Sequence, residues 1–305
     1  MAKIRNSGRS IHGILILDKP EGLTSNSALQ TVKRLYDARK AGHTGSLDPL
    51  ASGMLPICFG EATKFSQFLL EADKHYQVTA TLGIKTSTGD REGEIISQSE
   101  PPHLSQEQLE SVLAGFLGTI EQIPSMYSAL KHQGQPLYKL ARQGIEVERP
   151  KREVTIHEIN LLDMTSHSFS FTVKCSKGTY VRTLVEDMGE VLGCGAHVAA
   201  LRRISVGSYL PTQMQTLPHL DALKQAESIA IMDSYILPVD SSISSWPELP
   251  LSEAAIYYLK QGQAVIAPTG PSSGWVRLTR KNGGFFGVGE ILDGGWLAPR
   301  RLVQM

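Results

Sequence analysis

Residues 41–60 read AGHTGSLDPLASGMLPICFG, and the rest of the chain is interpreted outward from this stretch. Gly42, Gly45 and Gly53 surround one acidic residue. That residue, Asp48, is followed by Pro49. Glycine allows close approach of a backbone, and proline restricts the residue before it. The pattern predicts a loop that holds a carboxylate at a fixed position in a cleft, although Asp before Pro is also a common turn device.

On both sides of this loop, short apolar runs of strand character are mixed with segments of helical spacing. In chain order, the predictions are a strand over 11–17, a helix from residues 24–26 to 36, a helix over 60–72, a strand over 75–82, a helix over 105–118, a strand over 169–175, a helix that follows Thr179 and ends at Gly193, and a hairpin over 275–280 and 285–292. No regular β-α-β alternation is present, which favours an α+β fold over a doubly wound sheet.

Changes in composition divide the chain. Residues 124–152 are rich in Gln, Gly, Pro and bases, and they interleave tyrosines with lysines and arginines, which predicts a protruding insertion with little core of its own. Its aromatic and basic residues are Tyr127, Tyr138, Lys131, Lys139 and Arg142. Ser241–Pro250 (SSISSWPELP) is the best candidate for a linker. The short strands beyond it indicate a small β-rich terminal domain.

The charges balance overall but are distributed unevenly. Among 305 residues, 30 Lys and Arg match 30 Asp and Glu. Bases exceed acids by eight to four in residues 1–60, six to two in 123–152 and five to two in 261–305. A polyanion would be attracted only if these three segments converge on one face, because attraction depends on local potential. Blocks of this size also arise by chance on solvated surfaces.

Several classes of protein are disfavoured by what the sequence lacks. The apolar run Gly13–Leu17 is too short for a membrane span or a signal peptide. Cys58, Cys175 and Cys194 are odd in number and lack metal-ligand spacing, so neither a disulfide framework nor a metal site is expected, and the cytoplasm is the simplest location. Phosphate-cradling, serine-hydrolase and zinc-protease motifs are missing, which leaves carboxylates and aromatics as candidates for chemistry.

Taken one at a time, the other candidate residues favour structural roles. His43 reads as a polar loop residue, and Tyr76 as a core aromatic on the apolar side of its predicted strand. Tyr180 and Arg182 open a helix, where packing and an ordinary solvated charge explain them. Leu201 precedes two arginines and by itself reads as a core residue.

Four stretches taken together resemble the TruB family of tRNA pseudouridine synthases. They are GILILDKPEGLTSN at 13–26, AGHTGSLDPLASGMLPICFG at 41–60, KHYQVTATLGIKTSTG at 74–89 and CSKGTYVRTL at 175–184. The resemblance covers about residues 11–240. It implies a catalytic domain over 1–240, with a mixed β-sheet flanked by helices and an RNA-gripping insertion at 123–152. The tail at 250–305 is similar to the family's PUA-like C-terminal RNA-binding domain, with a looser match.

The resemblance also implies an activity, which is isomerisation of uridine 55 in the T loop of tRNA to pseudouridine without a cofactor or metal. By this resemblance, Asp48 would be the nucleophile, Tyr76 would stack on the target base and be a candidate to help remove the C5 proton, and Arg182 would pair with Asp48. The uridine pocket would include His43, Tyr180 and Leu201, with Lys19 in a supporting role. The expected partner is the tRNA T stem-loop, bound by a cytoplasmic monomer that needs no membrane and no protein partner.

Physical chemistry agrees with this set of residues. A buried carboxyl tends to have a raised pKa, and a nearby guanidinium opposes that shift, so Arg182 would keep Asp48 ionised. Two other classes remain open from the sequence. One is an RNA-binding or RNA-folding module that holds a flipped base without reacting, and the other is a structural subunit of a larger ribonucleoprotein.

Overall fold

The computed structural model describes residues 8–128, 130–268 and 270–304. Lys3 and Arg5, two of the bases counted in the first basic segment, lie outside the described residues. The strands are β1 Gly13–Lys19, β2 Ala41–His43, β3 Ser52–Phe59, β4 Lys74–Leu82, β5 Ile84–Thr86, β6 Ile95–Gln98, β7 Gly118–Gln122, β8 Lys131–His132, β9 Gln135–Pro136, β10 Arg152–Met164, β11 Ser168–Cys175, β12 Ala196–Val206, β13 Gln215–Thr216, β14 Glu248–Leu251, β15 Val265–Ile266, β16 Gly274–Arg280, β17 Phe285–Leu292 and β18 Trp296–Leu302. The α-helices are α1 Ser25–Leu35, α2 Ser66–Glu71, α3 Gln106–Ala114, α4 Leu137–Ala141, α5 Val181–Val191, α6 Leu217–Gln225, α7 Ile229–Ser234 and α8 Glu253–Lys260.

A nine-stranded mixed sheet forms the centre of the molecule. Its order is β13-β1-β3-β12-β4-β11-β10-β7, and β2 pairs with β3. The apolar face of β4, β11 and β12 packs with α3 and α5 into one core that contains Val78, Phe171, Leu184 and Met188. The α+β prediction is confirmed by this arrangement of a mixed sheet and separate helices.

Local sequence explains where helices α1 and α3 start. The Thr24 side chain accepts a hydrogen bond from the Ser27 amide at the start of α1. At the start of α3, Ser105 and Gln108 form the expected reciprocal capping box. Such caps satisfy amides that a helix leaves unpaired in its first turn. The helix predicted to Gly118 ends at Ala114, because Gly118 begins β7.

The prediction of one helix over 60–72 is wrong. Residues Gly60–Lys64 form a 3₁₀ turn, and α2 starts only at Ser66, after a non-helical Phe65. Gly60 has a φ of +52°, and a Cβ there would come within 2.3 Å of the Ile11 carbonyl oxygen. A positive φ lies outside the right-handed helical region, so a regular α-helix does not begin at Gly60.

The sequence predicted a linker at Ser241–Pro250, but the structure shows that this segment is not free. Glu248–Leu251 forms β14, which pairs in parallel with β16. The C-terminal sheet has the order β14-β16-β17-β18-β15 and includes the predicted hairpin of β16 and β17. Arg277 forms ion pairs with Asp240 and Glu248, which fixes this segment to the sheet.

The C-terminal sheet packs directly on the central unit. Phe68 makes edge contacts with Trp246 and Trp275, at ring-centroid distances of 4.7 and 5.6 Å. Lys64 Nζ donates a 3.0 Å hydrogen bond to the Leu302 carbonyl oxygen. Along the described chain, no helix has the length and apolar character that a membrane span requires.

Candidate active site

The loop that carries Asp48 runs between β2 and β3 and is held from both sides. Ser25, at the start of α1, accepts a 2.7 Å hydrogen bond from the Leu47 amide and donates one of 2.9 Å to the Leu47 carbonyl oxygen. On the other side of Asp48, the Gly22 amide donates to the Pro49 carbonyl oxygen at 2.8 Å. These bonds fix the backbone around the carboxylate, as the glycine and proline pattern predicted.

Gly53 lets strand β3 approach β12 at the end of this loop. It has a φ of +99°, and a Cβ there would lie 2.2 Å from the Arg203 carbonyl oxygen. Any larger residue would push the two strands apart, and with them the loop that holds Asp48.

Asp48 and Arg182 form the central ion pair of the site. Arg182 Nη2 lies 3.0 Å from Asp48 Oδ2. The guanidinium is buried, and it also donates to the carbonyl oxygens of Thr88 (2.9 Å) and Tyr127 (2.8 Å). The Asp48 side chain keeps 42% of its accessible surface, so its carboxylate faces the cleft from a floor of protein atoms. The sequence-predicted pairing of these two residues is present in the structure.

Asp90 is a component of the site that the sequence reasoning missed. It is 3% exposed and lies 3.4 Å from Arg182 Nη1. Its carboxylate also accepts hydrogen bonds from the Thr88 hydroxyl (2.6 Å) and the Glu92 amide (3.1 Å). The only sequence signal is the Thr-Gly-Asp turn after β5, which does not by itself reveal a buried acid.

The pKa of Asp48 is raised above its ordinary value. Burial against the cleft floor is the largest cause, and the guanidinium of Arg182 opposes it. The Asp90 carboxylate raises the pKa of Asp48 further, whereas the Lys19 ammonium lowers it. Arg182 is thus the principal group that opposes the effect of burial on the Asp48 carboxyl.

Tyr76 and Leu201 lie on the face of the central sheet that α5 covers. Tyr76 on β4 pairs with Arg203 on β12, and Leu201 pairs with Val78. Since alternate residues of a strand share a face, Tyr76 and Leu201 belong to the same surface. Burial raises the pKa of the Tyr76 phenol, and the Arg203 guanidinium opposes that shift. The phenol is therefore protonated at neutral pH.

His43 ends β2, just before the Asp48 loop. Its Nδ1 atom is buried without a hydrogen-bond partner among the described residues. Burial, and next the Arg203 charge, lower the pKa of its ring. His43 therefore presents a neutral imidazole at physiological pH, with one nitrogen unused.

Tyr180 precedes α5, and its backbone is held on both sides by the buried Gln122 side chain. The Tyr180 amide donates to Gln122 Oε1 at 3.1 Å, and Gln122 Nε2 donates to the Tyr180 carbonyl oxygen at 3.4 Å. This contact fixes the turn from which Arg182 projects, two residues later.

The structure does not bring Lys19 to the surface of the cleft. Its side chain is fully buried, and Nζ donates to the carbonyl oxygens of Pro20 (2.8 Å) and Leu23 (2.7 Å). Lys19 therefore has no accessible surface for direct contact with a ligand, and any support it gives to the site acts through its charge and the backbone that it holds. Burial lowers the pKa of Lys19 to about 8, and Asp48 is the main group opposing this.

The insertion contributes to the site through its backbone and carries its bases outward. Besides the Tyr127 carbonyl, it contains the β8–β9 hairpin and α4, whose Leu137 is buried. The bases Lys131, Lys139 and Arg142 are exposed, and the Arg142 guanidinium lies 5.7 Å from the centre of the Tyr138 ring. Alternating aromatic and basic groups on an exposed surface suit single-stranded RNA.

Over the described ranges, no group of three or more His, Cys, Asp or Glu residues is placed to hold a metal ion. The cleft combines a carboxylate, a buried guanidinium, a phenol and a neutral imidazole. A carboxylate held in this way is suited to nucleophilic catalysis through a covalent adduct.

Comparison with family models covers almost the whole chain. Residues 33–181 match the model described as TruB family pseudouridylate synthase (N terminal domain). Residues 182–244 match the tRNA pseudouridylate synthase B C-terminal domain, and residues 247–303 match the model described as Pseudouridine synthase II TruB, C-terminal.

Curated relatives and solved structures agree with these matches. A tRNA pseudouridine synthase B of Coxiella burnetii is 57% identical over 97% of this chain and 96% of that protein. One of Pseudomonas aeruginosa is 53% identical over the full length of both. In a crystal structure of a Cbf5–Nop10–Gar1 complex, the matching chain has a TM-score of 0.73 and 25% identity, over 93% of this chain and 79% of its own length. A chain in an H/ACA RNP bound to a substrate RNA containing 2′-deoxyuridine has the same fold, with a TM-score of 0.75, 21% identity, and coverage of 100% and 92%.

Proposed function

The chain belongs to the TruB family of pseudouridylate synthases, and from this premise we propose that it isomerises uridine 55 in the T loop of tRNA to pseudouridine. The observation that carries the proposal is the ion pair between the cleft-facing Asp48 and the buried Arg182, at 3.0 Å. The names of the relatives supply tRNA as the substrate class. The reaction requires no redox change and no group transfer to a second molecule, so these side chains suffice.

Asp48 acts as the nucleophile in this proposal. The N-glycosidic bond of the target uridine breaks, the base turns while held in the pocket, and a new bond forms from C5 to C1′. An ionised carboxylate divides this rearrangement into easier steps by forming a covalent adduct. Arg182 supports the role of Asp48 because it lowers the carboxyl pKa against the effect of burial.

Tyr76 and Leu201 form the base-binding wall of the pocket. A uridine inside the T loop is stacked on its neighbours, and its extrusion costs a few kcal/mol. Stacking on an aromatic ring offsets about 1–3 kcal/mol of this cost. The neutral imidazole of His43 and the ring of Tyr180 complete the pocket in this proposal. The phenol of Tyr76 is then a candidate to assist removal of the C5 proton.

Replacing Tyr76 by phenylalanine tests that candidate role. The variant keeps the stacking surface but loses the hydroxyl, so we expect pseudouridine formation to slow by about 10²- to 10⁴-fold, which is the range for lost acid–base catalysis. The tRNA affinity should stay unchanged. Release of tritium from 5-tritiated uridine in tRNA measures the rate. Wild-type turnover in Tyr76→Phe would limit Tyr76 to packing.

Residues 1–240 form the catalytic unit in this proposal, with 123–152 gripping RNA, and 250–305 form a PUA-like RNA-binding unit. The separate core of the C-terminal sheet supports that division. The tRNA is the sole partner required, and a monomer acts on it in the cytoplasm. RNA is recognised through the shape of the folded T loop and through phosphate contacts, which the exposed bases of the insertion provide.

Neutralising Lys131, Lys139 and Arg142 together by glutamine substitution should weaken tRNA binding and flatten its salt dependence. Each lost phosphate contact reduces the slope of log affinity against log salt by about 0.7–0.9, so three contacts reduce it by about 2–3. Filter binding at a series of salt concentrations measures the slope. The matched control replaces Lys85, Lys174 and Lys224, which lie outside both the insertion and the C-terminal unit, and its slope should equal that of the wild type. An unchanged slope in the first variant would show that the insertion makes no phosphate contacts.

Incubation of the purified protein with an unmodified tRNA transcript tests the function directly. We expect one uridine, at position 55, to be converted without added protein, RNA or cofactor. Mapping by primer extension after carbodiimide treatment identifies the position. Conversion elsewhere would overturn the assigned target. Conversion of none would favour an RNA-folding module or a subunit that depends on a ribonucleoprotein.

A further inference from the structure

Three cations are buried beneath the Asp48 loop in addition to Arg182. The accessible fractions of Lys19, Lys74 and Arg203 are 0%, 8% and 1%. Charged side chains of this kind are almost never fully buried without an anionic partner. Such a group therefore calls for a physical explanation.

None of these three cations forms an ion pair with an acid of the described chain. Lys19 donates only to carbonyl oxygens, as given above, and Lys74 Nζ donates to the carbonyl oxygens of Leu70 (2.7 Å) and Ala72. Arg203 donates from Nε to the Met54 carbonyl oxygen and from Nη2 to that of Gly45, both at 2.8 Å. The carbonyl oxygens hold the cations in place but leave their charge uncompensated.

All three cations lie against the same loop and the same pocket wall. A Cβ built on Gly45 would be 3.4 Å from Arg203 Nη1 and 4.0 Å from Lys74 Cε. Arg203 is the cross-strand partner of Tyr76, and Lys19 pairs with Gly53 at the end of the loop. Their charges therefore converge beneath the place where the proposed function puts the flipped base.

The charges near the cleft do not balance. Four buried cations, including Arg182, face the acids Asp48 and Asp90, and His43 is neutral. Burial is the largest cause that lowers the pKa of both Lys19 and Lys74 to about 8, and Arg203 adds to it. Asp48 opposes the shift at Lys19, and the acids Asp73 and Glu71 oppose it more weakly at Lys74. The buried cations are therefore only partly compensated by the acids that face them.

A backbone phosphate does not supply the compensating charge, because the buried cations offer almost no surface for direct contact. The charge must instead arise inside the pocket during the reaction. When the C1′–N1 bond breaks, its electron pair stays on the uracil and is delocalised to the ring oxygens. Asp48 gives up its own charge as it bonds to the sugar, so one negative charge moves from Asp48 to the base.

We propose that Arg203, together with Lys19 and Lys74, provides a fixed positive field that stabilises the uracil anion formed when the glycosidic bond breaks. This inference rests on the proposed function. The three cations do not touch the base. They are positioning residues, which act through their electric field and through the Asp48 loop that they contact. A preorganised field is effective because no reorganisation is needed when the charge develops.

The decisive experiment compares Arg203→Met on two RNAs, one with uridine and one with 5-fluorouridine at the target position. Fluorine withdraws electrons and stabilises the departing base, so the fluorinated base depends less on the field. We expect the single-turnover rate on uridine to fall by about 10²- to 10³-fold, as when one preorganised donor is removed. The loss on 5-fluorouridine, measured as disappearance of the nucleoside after digestion, should be at least about tenfold smaller, and RNA affinity should be unchanged.

Control variants separate this role from simple packing. Arg203→Lys keeps the charge and should recover most of the lost rate. Arg202→Met changes the neighbouring arginine, which pairs with Asp18 at 2.7 Å, and should behave as the wild type on both RNAs. If Arg203→Met does not fold, Lys74→Met provides the same comparison of the two RNAs.

Two results would overturn the inference, and both can be distinguished from failure of the proposed function. Equal losses on both RNAs in a folded variant would reduce Arg203 to a structural role, and so would an unchanged rate. Failure of the proposed function would appear earlier, as a wild-type protein that leaves uridine 55 unconverted. If the wild type converts uridine 55 and Arg203→Met loses the same factor in rate on both RNAs, only the proposed electrostatic role of Arg203 is rejected, and the proposed function stands.

Discussion

Asp48→Asn should abolish pseudouridine formation and leave tRNA binding nearly intact. Asparagine has the shape of aspartate, and its carbonyl oxygen can occupy the place of the carboxylate oxygen that lies 3.0 Å from Arg182 Nη2. The amide has no negative charge and is a poor nucleophile, so no covalent adduct forms. We expect turnover to fall by about 10⁴-fold or more, as for other nucleophile replacements. Tritium release from 5-tritiated uridine tRNA gives the rate, and filter binding gives the affinity.

The matched control for this variant is Asp221→Asn, the same exchange on an exposed residue of α6. It should show wild-type turnover and affinity. Retained turnover in Asp48→Asn would remove Asp48 from the role of nucleophile. Loss of binding together with turnover would instead indicate that Asp48 supports the loop rather than the chemistry. Loss of turnover with retained tRNA affinity is therefore the result that assigns Asp48 to catalysis.

Local sequence predicted those parts of the molecule that depend on neighbouring residues. The cap at Thr24, the capping box at Ser105 and the alternation of β4 follow from spacing along the chain. The Asp48 loop was equally visible, because glycine and proline restrict the backbone locally. The roles of Asp48 and Tyr76 came from the family resemblance, since each residue alone also fits a turn or a core.

Features that depend on contacts between distant segments were not predictable. Asp90 and Arg182 are 92 residues apart, and nothing near Asp90 indicates that its side chain is buried. Arg203 reads as an ordinary surface arginine until β12 is placed beside β3 and β4. The non-helical backbone of Gly60 was missed for the same reason, because the close approach of Ile11 to Gly60 is a tertiary contact.

Arg182→Met should have the second largest effect, because one guanidinium serves two carboxylates and two carbonyl oxygens. Its removal leaves Asp90 buried without a cation, and breaking a buried pair costs about 3–5 kcal/mol of unfolding free energy. Turnover should fall by about 10²- to 10³-fold, as when a preorganised charge is lost. Urea unfolding and tritium release measure the two losses. Arg182→Lys should recover only part of each, because a single ammonium cannot replace the planar fork of donors.

The pH dependence of Arg182→Met distinguishes its effect on Asp48 from a general loss of structure. The pKa of Asp48 is already raised by burial, and Arg182 is the main group that lowers it. Without Arg182 that pKa rises further, so the acidic limb of the pH–rate profile should move to higher pH. A raised pKa in the folded state also means that the folded protein binds more protons than the unfolded chain between the two pKa values. Stability should therefore fall as pH rises through that window, more steeply in the variant than in the wild type.

A double variant separates the contribution of Asp90 to this result. In Arg182→Met with Asp90→Asn, the uncompensated buried charge is removed, so a substantial part of the lost unfolding free energy should return. Turnover should return only in small part, because removal of the Asp90 charge lowers the pKa of Asp48 by less than the loss of Arg182 raises it. Recovery of both stability and turnover would contradict the assignment of Arg182 to Asp48, and an acidic limb that stays in place would do the same. Recovery of stability alone would identify Asp90 as the anchor of Arg182 and Asp48 as the group that Arg182 activates.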